Sequence, residues 1–399
     1  MIRQRQQPTA HDSLSSRAID ELYMRRCLQL AYNGLHNAKP NPMVGAVIVA
    51  ADGRIIGEGY HVRCGQAHAE VNAFASVRPA DEPLLRGATL YVSLEPCSHW
   101  GKTPPCADLI VSKKVRRVVC GCVDPFAQVQ GRGIQRIREA GIEVTVGVLE
   151  RECLELNRKF IAVNTAKRPY IILKWAETKN HKMNRQTGEA SLPGLSAIAA
   201  PDRCVTRHDD LATAVCPSPL STACQGGGED TAPALPPRRE PLPISTPFTK
   251  MLVHKLRAEN DAILVGHETV NTDHPQLNIR EWSGRDPERI VLAHSTEGMP
   301  AWFKCFSDID TMLSYLRMRR HQSLIVEGGA ITLQGFIDRG LWDEIRVETA
   351  PFVVAHGVEA PHIPAEACLD RQWYFDGNII CRYLRDKSLT FSSPCDCCR

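Results

Sequence analysis

One histidine, one glutamate and two cysteines carry the chemistry available to this sequence: His68, Glu70, Cys97 and Cys106. A single alanine separates His68 from Glu70, and Cys106 lies nine positions after Cys97. One imidazole and two thiolates are donors suited to zinc, and three protein ligands leave the fourth tetrahedral position to water. Zinc in such a site lowers the pKa of its water to about 7, so hydroxide is available at neutral pH to attack a ring carbon bearing an amino group. Glu70, two residues from a ligand, can reach that water without binding the metal. It would take the water's proton, pass it to a ring nitrogen and protonate the departing ammonia. The chemistry expected is hydrolytic deamination.

Two other readings are open at this point. A structural zinc site would require a fourth ligand, with His99 or Cys64 as the candidates, but it has no use for Glu70. Alternatively, the four residues are unrelated members of a core. The general zinc-deaminase signature has two residues between its cysteines, whereas eight separate Cys97 from Cys106 here. The loop Ser98–Pro105 is long enough to add substrate contacts beside the metal.

These residues must be carried by elements, and the pattern supplies helices alternating with strands, as an α/β domain requires. Ser16 can cap a helix with Met24, Cys27, Leu28 and Ala31 on one face, ended by Gly34. Val44–Ala50 and Arg54–Tyr60 read as strands joined by an Asp52-Gly53 hairpin turn. Helices are expected at His68–Val77, Cys106–Ser112 and Ile134–Ala140, and strands at Thr89–Leu94, Arg117–Cys122 and Glu143–Val148. A second α/β pattern has strands near Tyr170–Ala176, Ala262–Gly266, Arg289–Leu292 and Leu324–Glu327, with helices near Thr249–Ala258, Ile309–Arg319 and Thr332–Arg339. The division expected is a tail at 1–17, a zinc-dependent domain at 18–165, a second domain at 168–386 and a tail at 387–399. Residues 186–243, crowded with Pro, Gly, Ser, Thr and Ala, predict a largely disordered insert in the second domain.

The segments Pro40-Asn41-Pro42-Met43-Val44-Gly45-Ala46, Gly57-Glu58-Gly59-Tyr60-His61, His68-Ala69-Glu70 and Leu94-Glu95-Pro96-Cys97-Ser98-His99, followed by Gly101-Lys102-Thr103-Pro104-Pro105-Cys106, closely resemble one family. It is the bifunctional riboflavin biosynthesis deaminase-reductase family, and the long cysteine spacing separates it from the tRNA adenosine and cytidine deaminases. The resemblance returns at His254–Ala258, Asp261–Gly266, Thr269, Asp273, Pro275, Leu277 and Arg280, and again at Val326–Gly329. It implies a cytidine-deaminase-like three-layer α/β/α domain followed by a dihydrofolate-reductase-like α/β domain. It also implies Zn2+ and NADPH as cofactors. The family deaminates 2,5-diamino-6-ribosylamino-4(3H)-pyrimidinone 5′-phosphate and then reduces the ribosyl part of the product to a ribityl chain.

By motif position, Asn41, His61 and Lys102 would line the deaminase pocket. An Asn amide can donate and accept at a pyrimidine edge, and a Lys can meet a phosphate. In the second domain, Ala176, Thr269, Asp273 and the Gly329 segment would contact NADPH, while Arg257, Leu277, Arg280 and Glu327 would contact the sugar phosphate. Two arginines converging on one phosphate are electrostatically sensible, and a Gly-Gly pair before a helix leaves backbone N–H groups free for a cofactor phosphate. Some positions depart from the family. Lys179-Asn180-His181-Lys182 lacks the usual glycine after Lys174-Trp175-Ala176, the insert lengthens a short connection, and the chain looks shortened after Leu292, with a strand-helix stretch missing before Ile309. These changes predict an intact deaminase and a weakened reductase. Gly131-Arg132-Gly133 lacks the third glycine of a dinucleotide fingerprint and is given no weight.

Composition limits the alternatives. A net charge of +3 over 399 residues demands neither nucleic acid nor membrane, and the longest apolar run, Met43–Ala51, is too short to span a bilayer. The Arg317–Arg320 basic cluster ends a helix, where its charge suits the dipole. The sixteen scattered cysteines without a secretion signal predict mostly free thiols in a reducing cytoplasm. The partner expected is a small pyrimidine ribotide, with a homo-oligomer left open. A nucleic-acid base deaminase should show a basic, aromatic-studded channel and shorter cysteine spacing, and this sequence has neither. A non-catalytic zinc-stabilised binding protein would differ in having no free coordination position.

Overall fold

The computed structural model describes residues 15–100, 104–124, 130–186, 239–240 and 242–385. Residues 1–14 of the first tail, the whole of the second and all but the ends of the insert lie outside the described residues, while Ser16 and Arg17, assigned to the first tail, belong to a helix. In chain order the first domain contains α1 (Ser16–Tyr32), β1 (Gly45–Val49), β2 (Ile55–Tyr60), α2 (Ala69–Ala75), β3 (Thr89–Val92), α3 (Cys106–Lys113), β4 (Arg117–Cys120), α4 (Arg132–Glu139), β5 (Glu143–Val146), α5 (Glu150–Leu156) and α6 (Arg158–Thr165). The helix cap is Ser15 rather than Ser16: its hydroxyl accepts from the Ala18 N–H at 3.2 Å.

Five strands form a sheet in the order β2-β1-β3-β4-β5. β1 is antiparallel to β2 and β3, while β3, β4 and β5 run parallel. Both faces are covered, so β1 is buried at every position and cannot show the alternation of a half-exposed strand. On one face Val47, Val49, Tyr91 and Val119 pack with Tyr23, Met24, Cys27 and Leu30 of α1. On the other, Ala46, Ile48, Leu90, Val92 and Val118 pack with residues of α2, α3 and α4. This is the three-layer arrangement expected from the sequence. α2 lies so close to β2 that a Cβ at Gly59 would sit 2.3 Å from the Ala73 nitrogen and 2.6 Å from the Ala69 oxygen. Gly59 therefore sets the depth of the helix that carries the zinc-site histidine and glutamate.

The second domain contains β6 (Tyr170–Thr178), β7 (Arg185–Gln186), β8 (Arg239–Glu240), α7 (Pro247–Ala258), β9 (Ala262–Gly266), α8 (His267–Asp273), β10 (Glu288–Leu292), β11 (Lys304–Phe306), α9 (Ile309–Met318), β12 (Ser323–Val326), α10 (Ala330–Asp338), β13 (Glu344–Ala350), β14 (Cys368–Phe375) and β15 (Asn378–Leu384). Its eight-stranded sheet has the order β11-β10-β9-β12-β6-β13-β15-β14. The first six strands are parallel, β15 is antiparallel to β13, and the edge strand β14 is antiparallel to β15 and so runs in the direction of the first six. β7 pairs with β8, so the chain leaves for the insert and returns from it at one ladder.

One expected defect is absent and a second is absent in part. The turn that lost its glycine still closes, because His181 takes a left-handed backbone (φ 59°) and its N–H donates to the Thr178 oxygen at 2.9 Å. A non-glycine residue in that region costs about 1–2 kcal/mol, a cost small against a packed domain. Of the strand-helix stretch expected to be missing before Ile309 the strand is present, as β11 parallel to β10, whereas no helix lies between these two strands.

The domains meet along α6. The Lys159 Nζ donates to the Glu259 carbonyl at 2.6 Å. Burial, followed by the nearby Lys39 and Arg158 charges, lowers its pKa to about 7 from an ordinary 10.5, against the opposing pull of Asp261 and Glu259. Between those pH values the unfolded chain holds a proton that the native state has released, so raising the pH favours the native state. In Lys159→Met this contribution disappears. We expect the melting temperature of the native protein to rise more steeply from pH 7.5 to 10 than that of the variant; superimposable pH profiles would contradict a buried, neutral Lys159.

Candidate active site

Three chain segments bring the ligand atoms together. His68 is the N-cap of α2, Cys106 is the first residue of α3, and Cys97 lies in the loop after β3. His68 Nδ1 is 3.3 Å from Cys106 Sγ and 3.6 Å from Cys97 Sγ. All three ligand atoms lie within 4.8 Å of one another. Tetrahedral coordination at ordinary Zn–N and Zn–S lengths separates nitrogen from sulfur by about 3.6 Å, so the donor set fits zinc. Among the described residues no fourth His, Cys, Asp or Glu joins this group. His99 and Cys64, the candidates for closing a structural site, stand apart from it.

The Cys97 thiol is drawn below its ordinary range, chiefly by its hydrogen bond with the Cys106 thiol and, against burial, by the His68 imidazole and the Cys106 N–H. Cys106 shifts upward for the complementary reason, its hydrogen bond with Cys97 adding to burial. Glu70 is buried, and that desolvation lifts its carboxyl to about 7 from 4.5. A carboxyl poised there can both accept and return a proton at neutral pH.

Asn41 and His61 form a second pair beside the ligands. The Asn41 amide nitrogen lies 3.1 Å from His61 Nε2, and His61 Nδ1 lies 3.1 Å from the Ala67 carbonyl. Donation by the amide requires Nε2 to accept and Nδ1 to carry the proton, which makes His61 neutral. Burial also lowers its pKa. Its ring meets the His68 ring edge-on, with centroids 5.4 Å apart. Asn72 ties the start of α2 to β2 by donating to the Tyr60 carbonyl at 2.8 Å. Lys102 lies outside the described residues.

Glu95 received no role from the sequence, although it sits two residues before Cys97. Its buried carboxylate accepts from the backbone N–H groups of Gly131 and Gly133, each at 2.9 Å, and from that of Asp124 at 3.2 Å. Gly133 passes so close to the ligand loop that a Cβ there would lie 1.9 Å from the Pro96 oxygen. The Gly131-Arg132-Gly133 segment, given no weight as a nucleotide motif, is thus the backing of the Cys97 loop.

In the second domain the expected residues gather at the C-terminal ends of parallel strands, where α/β sheets bind ligands. β9 runs through Gly266 into α8, which holds Thr269 and Asp273, and β12 runs through Glu327-Gly328-Gly329 into α10. Thr269 Oγ1 lies 3.6 Å from where a Gly329 Cβ would be, and Gly329 caps α10 without a side-chain bond. Those free N–H groups and the missing side chains form a cradle that fits a cofactor phosphate. Ala176 extends β6 beyond Leu173, the partner of Val326 at the end of β12.

The two arginines expected to share a phosphate differ. Arg257 is committed to Glu327 at 2.7 Å and reaches the Asn278 carbonyl at 3.4 Å. The Arg280 guanidinium instead bonds the neutral carbonyls of Gln276 at 2.7 Å and Asn278 at 2.8 Å, which leaves its charge for an anion. Leu277 is buried between them in sequence with a left-handed backbone, φ 51°. A cleft of about 370 Å³ between α7 and β13–β15 touches none of the expected site residues.

Residues 17–122 match the cytidine and deoxycytidylate deaminase zinc-binding region, and residues 236–364 match the RibD C-terminal domain. The chain is 35% identical over 376 residues to riboflavin biosynthesis protein RibD of Aquifex aeolicus, covering 86% of this chain and 90% of the relative. It is 33% identical to the Escherichia coli RibD, covering 83% and 88%. A crystal structure from Thermotoga maritima, described as a diaminohydroxyphosphoribosylaminopyrimidine deaminase/5-amino-6-(5-phosphoribosylamino)uracil reductase, superimposes with a TM-score of 0.71 at 29% identity, covering 93% of this chain and 99% of that one.

The contact behind the metal loop yields a test. In Gly133→Ala the new methyl must push back Pro96 and with it Cys97. We expect zinc affinity, measured by chelator competition, to fall about 10–100-fold, as when outer partners of a metal site are lost; unchanged affinity would contradict the role of this contact.

Proposed function

Because the chain belongs to the RibD family of riboflavin biosynthesis proteins, we propose that its first domain releases one ring amino group of 2,5-diamino-6-ribosylamino-4(3H)-pyrimidinone 5′-phosphate as ammonia and that its second reduces the ribosyl chain of the product to ribityl. The protein is a riboflavin-pathway enzyme with a zinc-dependent deaminase domain and an NADPH-dependent reductase domain. One observation carries the deaminase reading: a buried glutamate stands beside a three-ligand metal site to which no fourth described residue contributes.

His68, Cys97 and Cys106 would hold the zinc, which when bound would supply a water that ionises near neutral pH. Glu70 would take one proton from the attacking water and deliver it to the ring nitrogen next to the attacked carbon; it would then carry the remaining proton of the new carbon-bound hydroxyl to the amino group, whose C–N bond breaks to release ammonia as the carbonyl forms. Its raised pKa suits both directions of transfer. Asn41 hydrogen-bonds the ring edge, and neutral His61 fixes the amide orientation. Lys102 would meet the phosphate. In the reductase, the N–H groups beyond Gly329, together with Thr269, Asp273 and Ala176, would hold NADPH, which supplies hydride to the sugar. Arg280 takes the substrate phosphate, Arg257 orients Glu327 toward a sugar hydroxyl, and buried Leu277 shapes the pocket wall.

The enzyme acts on small molecules. We read it as working in the cytoplasm without nucleic acid or membrane. The ten described cysteines are all free thiols, as a reducing compartment favours. Among the described residues no helix is long and apolar enough to cross a membrane.

Glu70→Gln should keep stoichiometric zinc while ammonia release from the diaminopyrimidine ribotide falls about 10²–10⁴-fold; His68→Ala should lose the metal. NADPH added to the native reaction after deamination should be oxidised. Normal ammonia release by Glu70→Gln would overturn the acid-base assignment, and absence of NADPH oxidation would mean that the reductase is lost.

A further inference from the structure

The loop that carries Asn41 is held at both ends. On one side, Asn157 donates to the Met43 carbonyl at 3.0 Å and accepts from the Met43 N–H at 2.8 Å. On the other, the partners belong to the second domain. The Lys39 ammonium meets the Asp261 carboxylate at 2.7 Å, and the Gln322 side-chain amide donates to the Pro40 carbonyl at 2.7 Å. Asp261 is itself fixed, since its other oxygen accepts from the Gln322 N–H at 2.8 Å and the Ser323 N–H at 3.2 Å. Behind Asn41 a void of only about 20 Å³, lined in part by Lys39, Asn157, Lys159 and Gln322, leaves the loop little room to shift.

We propose that Asp261 and Gln322 of the reductase domain are positioning residues of the deaminase: they clamp Lys39-Pro40 so that Asn41 meets the pyrimidine ring in a preset orientation. The proposal rests on the reading of Asn41 as a substrate contact. Neither clamp residue touches the metal ligands. Each immediately precedes a strand whose far end reaches the proposed reductase site: Asp261 precedes β9, which ends at Gly266, and Gln322 precedes β12, which leads to Glu327-Gly328-Gly329. Two rigid strands therefore carry the deaminase clamp at their N-terminal ends and the cofactor cradle at their C-terminal ends. Part of the deaminase pocket is built by the reductase fold.

The charge pair and the amide contribute differently. Lys39 and Asp261 are largely shielded from solvent, with side-chain exposures of 24% and 17%. In such surroundings removing one partner leaves the other charge uncompensated, so the loop must move to regain water. The Gln322 bond is a single neutral contact to a carbonyl, and its loss removes one restraint without stranding a charge.

The test uses the full-length zinc enzyme and ammonia release from the diaminopyrimidine ribotide. Asp261→Asn and Gln322→Met should raise KM about five- to tenfold, with smaller changes in kcat, because misplacement of a binding group costs orientation before chemistry. Zinc stoichiometry and the KM for NADPH in the reductase assay should stay at native values. Lys39→Asp combined with Asp261→Lys should recover part of the loss. A merely structural defect would lower the active fraction, so kcat would fall at unchanged KM, and that result overturns the proposal. Should Asp261→Asn fail to fold, Gln322→Met carries the test alone. Asn41→Ala separates the two levels. If it raises KM while both clamp variants behave as the native enzyme, the clamp is wrong. If Asn41→Ala leaves KM unchanged, the reading of Asn41 fails and the proposal falls with it.

Discussion

The deaminase domain depends on bringing one imidazole nitrogen and two sulfurs within bonding distance of a single point while keeping a carboxylate beside them out of water. Two of the ligands begin helices, His68 as the cap of α2 and Cys106 as the first residue of α3. Both helix N-termini therefore face the site, and their dipoles favour the thiolates that a metal requires. The third ligand, Cys97, comes from a loop with no regular structure, so it needs a brace. Glu95 and Gly133 supply it, one by collecting backbone N–H groups and the other by having no side chain. The same closeness at Gly59 seats α2 deeply enough to bury Glu70 and raise its pKa.

The two sheets use their ends differently. In the second, the C-terminal ends of β9 and β12 gather the residues expected to hold cofactor and sugar phosphate. The N-terminal ends of the same strands face the first domain, where Asp261 and Gln322 grip the loop of Asn41. Charge is placed unevenly across this architecture. Glu344 lies fully buried among Arg158, Arg346 and Arg382, which hold its carboxyl well below its ordinary range despite the burial. Lys159 lies in the same interface and is held toward its neutral form by burial and by the cations around it.

The zinc site was legible because its residue types and spacing have few other uses, and the three-layer fold because helix and strand periods alternate cleanly from Ser16 to Val146. Other features left weaker traces. β11, β13 and the β14-β15 hairpin went unread, although Asp376-Gly377 is a turn signal of the kind recognised at Asp52-Gly53; Asp376 (φ 49°) and Gly377 (φ 86°) are both left-handed. The short helices α5, α6 and α8 also went unread. Glu95 and Gly133 could not be assigned roles because their partners are distant in sequence, and a bare glutamate or glycine carries no sign of a backbone contact. The pairing of Arg257 with Glu327, which divides the two arginines between orientation and anion binding, is likewise a fact of three-dimensional proximity.

The central claim is that the metal has three protein ligands and an open position beside Glu70. X-ray absorption at the zinc edge of the purified native enzyme tests it most directly. Two sulfur scatterers at about 2.3 Å, with two nitrogen or oxygen scatterers at about 2.0 Å, are expected. The shell should be unchanged in Glu70→Gln, since this side chain does not bind the metal. A third sulfur in the native enzyme, or a light-atom scatterer lost in Glu70→Gln, would contradict the account.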